Sequence, residues 1–178
     1  MKINSLLSVI FLTHLFSCTS LYSQFVDGQS QLRSPGIQID ARENFTNDGT
    51  VKSGNYININ TLLFCGSGAI TGKLTHIKCG SYNYEGPVNG NKVCMIQAKT
   101  VESKNGYING NKIILACEEF KFKGTISCIQ ECLVYAKNTF DQNMFKQSGP
   151  GKFTIIMGEN NFEKFNQELL RLKAKNKK

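Results

Sequence analysis

Residues 45–59, FTNDGTVKSGNYINI, contain the pattern that decides the fold, because apolar and polar side chains alternate and glycines interrupt the alternation. A two-residue period is typical of a β-strand with one buried face. Gly49 opens a short element that recurs along the chain, and its equivalents follow at steps of 19, 18, 20 and 18 residues. These equivalents are Gly68, Gly86, Gly106 and Gly124. The chain is therefore predicted to consist of stacked repeats of 18–20 residues.

Aligning the repeats places similar side chains in columns. The central inward column comprises Ile39, Ile59, Ile77, Ile96, Leu115 and Val134. The column two residues before it comprises Ile37, Ile57, Thr75, Cys94, Ile113 and Cys132. A later aromatic or branched column comprises Phe45, Phe64, Tyr82, Val101, Phe120 and Phe140. One repeat cannot bury its own apolar face, but copies stacked about 4.8 Å apart can.

We therefore predict an all-β fold, a right-handed parallel β-helix (β-solenoid) of about five to six coils over residues 36–157. The five recurring glycines, Gly49 to Gly124, are predicted corner residues. A second set of glycines would allow tight corners, since a Cβ would obstruct them there. This set comprises Gly54, Gly72, Gly90 and Gly110, and Cys128 takes the same position in the following coil.

Both ends of such a stack present open strand edges and need covers. Residues 24–35 are predicted to form a linker or an N-terminal cap. Residues 158–178 are predicted to form a short helix and a basic tail, because Phe162, Phe165, Leu169 and Leu172 recur at helical spacing. We expect a capping helix, and the alternative is a basic amphipathic segment that contacts a membrane or a partner.

Residues 1–23 have the features of an export signal, with Lys2 followed by an apolar run from Leu6 to Phe16. That run is shorter than the about 20 residues that cross a bilayer, so we expect a leader and not a membrane anchor. The stretch LFSC ending at Cys18 is similar to a bacterial lipobox, which implies lipidation of Cys18. The alternative is cleavage near Ser20 or Ser23. Both alternatives predict an exported protein, which is either secreted or an outer-surface or periplasmic lipoprotein. Its only expected contact with a membrane is through a lipid anchor.

The repeat at residues 45–59 resembles those of filamentous haemagglutinin-type adhesins, and the likeness extends over about residues 37–136. That resemblance implies a right-handed β-helix used for adhesion. Residues 68–90, GAITGKLTHIKCGSYNYEGPVNG, are also similar to bactofilins in the spacing of glycines and branched residues. This second resemblance implies small β-helices that polymerise end to end.

Six cysteines remain after Cys18, an even count that invites a disulfide framework in an exported chain. However, Cys79 and Cys117 share a column two rungs apart, which is about 9.6 Å and exceeds the limit of about 7 Å for a bridge. The same holds for Cys94 and Cys132, so these four are predicted to be small buried residues. Only Cys128 and Cys132 are close enough in sequence for a local disulfide, and that alternative stays open.

The sequence predicts no catalytic, metal or cofactor site. The acidic residues are scattered, and His76 has no C-x-x-C motif nearby that would suggest zinc. Outward asparagines could form a ligand-binding face or a structural ladder along the stack. They are Asn58, Asn60, Asn89 and Asn109.

The formal charge is +8, but five basic residues lie in the tail from Arg171 to Lys178, so no nucleic-acid partner is expected. We predict a non-enzymatic surface protein for adhesion or for contact with a host, matrix or envelope ligand, either protein or carbohydrate. The alternative is a self-assembling structural module that forms a homo-oligomer through its coil ends. A polysaccharide-active enzyme is a third hypothesis.

Overall fold

A computed structural model describes residues 20–28, 30–140, 144–159 and 161–175. The molecule is a parallel β-solenoid of about six turns with one short C-terminal helix, which confirms the fold class predicted from the repeat. Residues 1–19 of the predicted export signal, including Cys18, lie outside the described residues, as do the side chains of Phe140, Phe162 and Leu172.

The described residues form ten strands and one helix. The strands are β1 Ser20–Val26, β2 Gln31–Asn47, β3 Thr50–Gly66, β4 Ala69–Tyr84, β5 Pro87–Gln97, β6 Thr100–Ser103, β7 Tyr107–Phe122, β8 Thr125–Phe140, β9 Lys146–Ser148 and β10 Lys152–Met157, and helix α1 is Asn161–Lys175. All neighbours pair in parallel in the order β1-β2-β3-β4-β5-β7-β8-β10, while β6 pairs with β4 and β7, and β9 pairs with β8. Each long strand bends around the coil, and β5 and β6 together complete one coil.

Strand pairing begins before residue 36, where the sequence placed the first coil. Ser20 of β1 pairs with Asp40, and Gln31 of β2 pairs with Thr50. Residues 24–35, expected to be a linker or a cap, thus contain the end of β1 and the start of β2. The first coil is already part of the ladder.

The inward columns form the core of the solenoid. Ile39 pairs with Ile59, and the same column continues rung by rung through Ile77, Ile96, Leu115 and Val134, all of which are buried. In the aromatic column the rings of Phe45 and Phe64 stack with their centroids 5.8 Å apart. These repeated contacts bury like side chains against like, as the alternating pattern requires.

The five corner glycines are needed for space. A Cβ on Gly86 would overlap the carbonyl oxygen of Gly68, and a Cβ on Gly124 would overlap that of Gly106. Gly49, Gly68 and Gly106 face neighbouring atoms that are similarly close. At four of these corners the nearest neighbour is a backbone carbonyl oxygen, whereas at Gly106 it is the hydroxyl oxygen of Ser103.

One predicted corner residue is misplaced by a single position. Gly72, Gly90, Gly110 and Cys128 do form one register column, but Gly54 is exposed and a Cβ added to it would contact nothing within 4 Å. The buried residue in that coil is Ser53, which pairs with Ser34. The register shift that follows Lys52 moves Gly54 out of the column.

Helix α1 lies against the side of the solenoid and not over its open end. Phe165 is fully buried among outward residues of β5, β7 and β8, and α1 contacts β7 and β8. We call this surface the helix-covered face; its buried members are Val93, Met95, Ile114, Ala116 and Tyr135. The predicted helix is present, but it covers an apolar outer face, so the interpretation as an end cap is corrected.

Candidate functional site

The outer face of the solenoid changes character along the stack. At the first coils it carries hydrogen-bonded polar side chains. Asn58 Nδ2 donates to Gln38 Oε1 on the neighbouring rung at 2.7 Å, and Gln38 Nε2 donates to Asp40 Oδ2 on its own strand at 2.8 Å. In register with these residues, the later coils carry Met95 and Ile114 of the helix-covered face. Polar and apolar surfaces therefore meet on one face of one sheet.

The four predicted outward asparagines do not form a single ligand face. Asn58 and Asn60 lie on β3, whereas Asn89 and Asn109 pair with each other on a different side of the coil. Asn58 bonds to Gln38, and Asn89 Nδ2 donates to Thr71 Oγ1 at 3.3 Å. Asn58 and Asn89 thus link neighbouring rungs, as a structural ladder would.

A shallow depression lies where the polar and apolar surfaces meet. It has a volume of about 260 Å³ and is lined by Asn55, Tyr56, Lys73, Leu74 and Lys92. Tyr56 pairs with Leu74, and Leu74 pairs with Val93, so the depression spans three successive rungs. We call it the Tyr56 depression.

The ring of Tyr56 is positioned by the preceding coil. A Cβ on Gly36 would lie 2.5 Å from a ring carbon of Tyr56, so the ring occupies the space above that glycine. Tyr56 nevertheless remains 41% exposed. The result is an aromatic side chain held at the surface with much of its area open to solvent.

The two lysines of the Tyr56 depression differ in ion pairing from Lys112, the most buried lysine of this face. Lys112, in the same outward column as Leu74 and Val93, forms ion pairs with Glu168 at 2.7 Å and Glu131 at 3.0 Å. Burial lowers the pKa of Lys112, but these two carboxylates outweigh it and raise the pKa overall. Lys73 and Lys92 are exposed, and within the described part of the chain neither has an acidic partner.

His76 lies at the edge of the helix-covered face. Its ring centroid is 6.5 Å from that of Phe165, and its side chain is half-buried. Across residues 20–28, 30–140, 144–159 and 161–175, no three His, Cys, Asp or Glu side chains form a cluster that could hold a metal ion.

The six described cysteines are free thiols. Cys79, Cys94, Cys117 and Cys132 are buried in the inward columns, and burial raises the pKa of the Cys94 thiol to about 12. Cys128 and Cys132, for which the sequence left a local disulfide open, are not bridged because they occupy different columns. Cys128 continues the glycine column after Gly110, whereas Cys132 lies between Ile113 and Phe153.

Two of the scattered carboxylates have structural partners at the corners. Glu85 accepts hydrogen bonds from the backbone N–H groups of Lys104 and Asn105, at 2.8 and 2.7 Å. Asp48 accepts bonds from the backbone and hydroxyl of Ser67, at 2.9 and 3.1 Å. Each of these acids joins one corner to the next coil.

Comparisons with known proteins found no matching family model, no matching curated protein and no matching solved structure. Among the described residues, the helix is too short and too polar to cross a bilayer.

The sequence interpretation missed the Tyr56 depression, although a signal for it is present. The inward columns fix the register, and in that register the pairs Asn55-Tyr56, Lys73-Leu74 and Lys92-Val93 fall on successive rungs. Reading the outward columns in the same way as the inward ones would have placed the two lysines beside the tyrosine. The exact corner geometry would still have been needed to show an open depression.

Proposed function

We propose that this protein is an exported, non-enzymatic scaffold that uses the outer surface of its β-solenoid to contact a host, matrix or envelope ligand. The observation that carries the proposal is the exposed surface of β3, where Tyr56 is 41% and Leu62 is 63% exposed. Large apolar side chains held in the open on a rigid frame are suited to recognition.

Three further features support the proposal. The leader-like segment at residues 1–23 is typical of exported chains. The core consists of like side chains stacked rung on rung, which gives a frame whose surface positions are fixed. Asp48 and Glu85 bond to backbone groups at the corners, so these two carboxylates have a structural explanation.

The first test is fractionation of cells that make the native chain or a Cys18→Ala variant, followed by external protease. We expect the native chain to be protease-sensitive at the cell surface and the variant to be released. Both cell types are then compared for retention on matrix-coated surfaces, with cells lacking the chain as the control. Recovery of the native chain from the cytoplasm would contradict export, and equal retention of all three cell types would contradict a binding role.

The second candidate function is self-assembly through the last coil. Strand β10 is the final member of the ladder, and in the described residues it pairs only with β8. Phe153 and Ile155 continue the inward columns but are only partly buried. Open edges of this kind pair readily with other chains.

Sedimentation over a wide range of protein concentration tests this second candidate. We expect assembly to increase with concentration and to decrease in an Ile155→Lys variant, with the exposed Lys152→Gln variant as a control on the same strand. A native chain that stays monomeric at every concentration would rule out self-assembly.

A further inference from the structure

We propose that the Tyr56 depression binds an acidic polysaccharide, taking a carboxylated or sulfated sugar residue between Tyr56 and the ammonium groups of Lys73 and Lys92. This inference rests on the proposed binding function and names the ligand class and the site. Asn55 supplies an amide for hydroxyl groups, and Leu74 forms the apolar floor beside the ring.

The two lysines point to an anionic ligand. Lys73 and Lys92 precede Leu74 and Val93, which pair directly, so their backbones lie on adjacent rungs about 4.8 Å apart. Like charges on adjacent strands repel each other. Neither lysine has an acidic partner within the described residues, whereas Lys112 and Lys121 on later coils do. An anion bound between Lys73 and Lys92 would relieve this repulsion.

The tyrosine indicates a ligand with an apolar face as well as a charge. The ring lies above Gly36, so its position is set by the first coils and does not depend on the ligand. Sugar rings present C–H groups on one face and hydroxyl groups at their rim. An aromatic ring packs against the C–H face, and amide and ammonium groups form hydrogen bonds with the hydroxyl groups.

The size and charge of the depression favour a polysaccharide over two other classes of ligand. At about 260 Å³ and open to solvent, it is smaller than the pockets of about 300–1,000 Å³ that enclose small molecules. A nucleic acid would require a long basic stripe. On the next coil Lys112 is paired with Glu131 and Glu168, so the two unpaired lysines of the depression do not extend into a stripe there. A depression of this size and charge can hold one residue of a longer acidic sugar chain.

The test is retention of the purified chain on immobilised alginate, heparin and neutral dextran. We expect binding to alginate or heparin that weakens as salt is raised, and no binding to dextran. A double variant, Lys73→Gln with Lys92→Gln, should bind at least about tenfold more weakly, because each exposed charge at contact distance contributes a several-fold factor. The matched control is Lys99→Gln with Lys123→Gln, which removes the same charge from exposed lysines outside the depression.

A third variant separates the ring from the charges. In Gly36→Ala the new methyl group displaces the Tyr56 ring while both lysines stay, and we expect weaker binding to the acidic polysaccharides that still decreases as salt is raised. Circular dichroism verifies that each variant keeps the solenoid. Equal weakening in the control pair, or tighter binding to a single-stranded oligonucleotide than to either polysaccharide, would overturn the inference. If matrix retention persists without any binding to acidic polysaccharides, the inference fails while the proposed function stands.

Discussion

At the scale of single residues, the steric role of the corner glycines can be tested by comparison with Gly54, a glycine that has open space around it. We expect Gly86→Ala to destabilise the fold by at least about 3 kcal/mol, because its methyl group would overlap the Gly68 carbonyl oxygen and the backbone cannot yield. Gly54→Ala is the control, since nothing lies within 4 Å of its added Cβ. There we expect no loss, or a gain of up to about 1 kcal/mol. Urea denaturation measures both, and equal effects would contradict the steric explanation.

Two buried tyrosines predict opposite effects for the same substitution. The Tyr82 hydroxyl is buried with no hydrogen-bond partner among the described residues, so Tyr82→Phe should stabilise the protein by about 1 kcal/mol. The Tyr84 hydroxyl accepts a 2.5 Å bond from Asn47 Nδ2. Tyr84→Phe should cost about 1–3 kcal/mol, because it leaves the buried Asn47 amide without that acceptor. The thermal unfolding temperatures of the two variants, compared with that of the native protein, test these predictions. A change of the same sign in both variants would contradict the hydrogen bonding assigned to the two hydroxyl groups.

The inward residues were predictable one by one, but the partners of polar residues were not. Alternation alone placed Ile59 and Ile77 in one column, since a strand has only two faces. The bond between Asn47 and Tyr84 could not be predicted, because it joins side chains two coils apart, with Gly66 on the rung between them. Sequence patterns report which side a residue faces, not which atom it reaches.

At the scale of elements, helix α1 should detach from the solenoid without unfolding it. Phe165 is its fully buried anchor, and Phe165→Ala should weaken docking by about 3–5 kcal/mol. The exposed Leu170→Ala is the control on the same helix. Hydrogen exchange of the helix amides should accelerate in Phe165→Ala alone, while the strand amides stay protected. Loss of protection throughout the strands would show instead that the helix is part of the cooperative core.

Docking of α1 should also depend on pH. Burial raises the pKa of Glu168, but the hydrogen bond and charge of Lys112, together with Arg171, outweigh it and lower the pKa below the usual 4.5. Glu131 is the other charged group that contacts Lys112. A lowered pKa in the folded state means that Glu168 stabilises docking above about pH 4.5 and that this contribution is lost as the pH falls through the folded value.

NMR spectra of the helix amides between pH 7 and 3 measure this dependence. We expect their signals to move toward those of a detached helix below pH 4.5, whereas a Glu168→Gln variant should show weakened docking already at pH 7. A native helix that stays docked to pH 3 would contradict the role given to Glu168.

The position of α1 was not predicted, although the sequence contained a sign of it. The runs VCMI at residues 93–96 and IILAC at 113–117 are apolar without alternation. Such runs indicate strands that are buried on both faces. They show that something covers the outer face there, but the identity of the cover depends on how the chain returns after β10. That return is a tertiary feature outside the local pattern.

At the scale of the whole molecule, the solenoid should tolerate removal of one complete coil. Deleting residues 86–105 would place Ile77 on Leu115, Tyr82 on Phe120 and Gly72 on Gly110, so each column would remain continuous. We expect a folded chain whose free energy of unfolding depends less steeply on denaturant concentration, because less surface is exposed on unfolding.

The control deletion removes only residues 87–96 and breaks the register. We expect that variant to be unfolded or aggregated, since it leaves about half a coil, whose corners and strands cannot stack on those of its neighbours. Circular dichroism and size-exclusion chromatography distinguish the two deletions. A full-coil deletion that fails to fold would show that particular contacts, and not the columns, hold the stack together.

The bond from Asn47 to Tyr84 has a consequence for how the stack comes apart. In a simple solenoid each coil interacts only with its immediate neighbours, so unfolding can spread one coil at a time from either end. Here a side chain of one coil holds a side chain two coils away, with Gly66 between them. An energy function for this protein therefore needs a next-nearest-neighbour term. The three coils joined by this hydrogen bond should unfold as one cooperative block, while the later coils can unfold one after another.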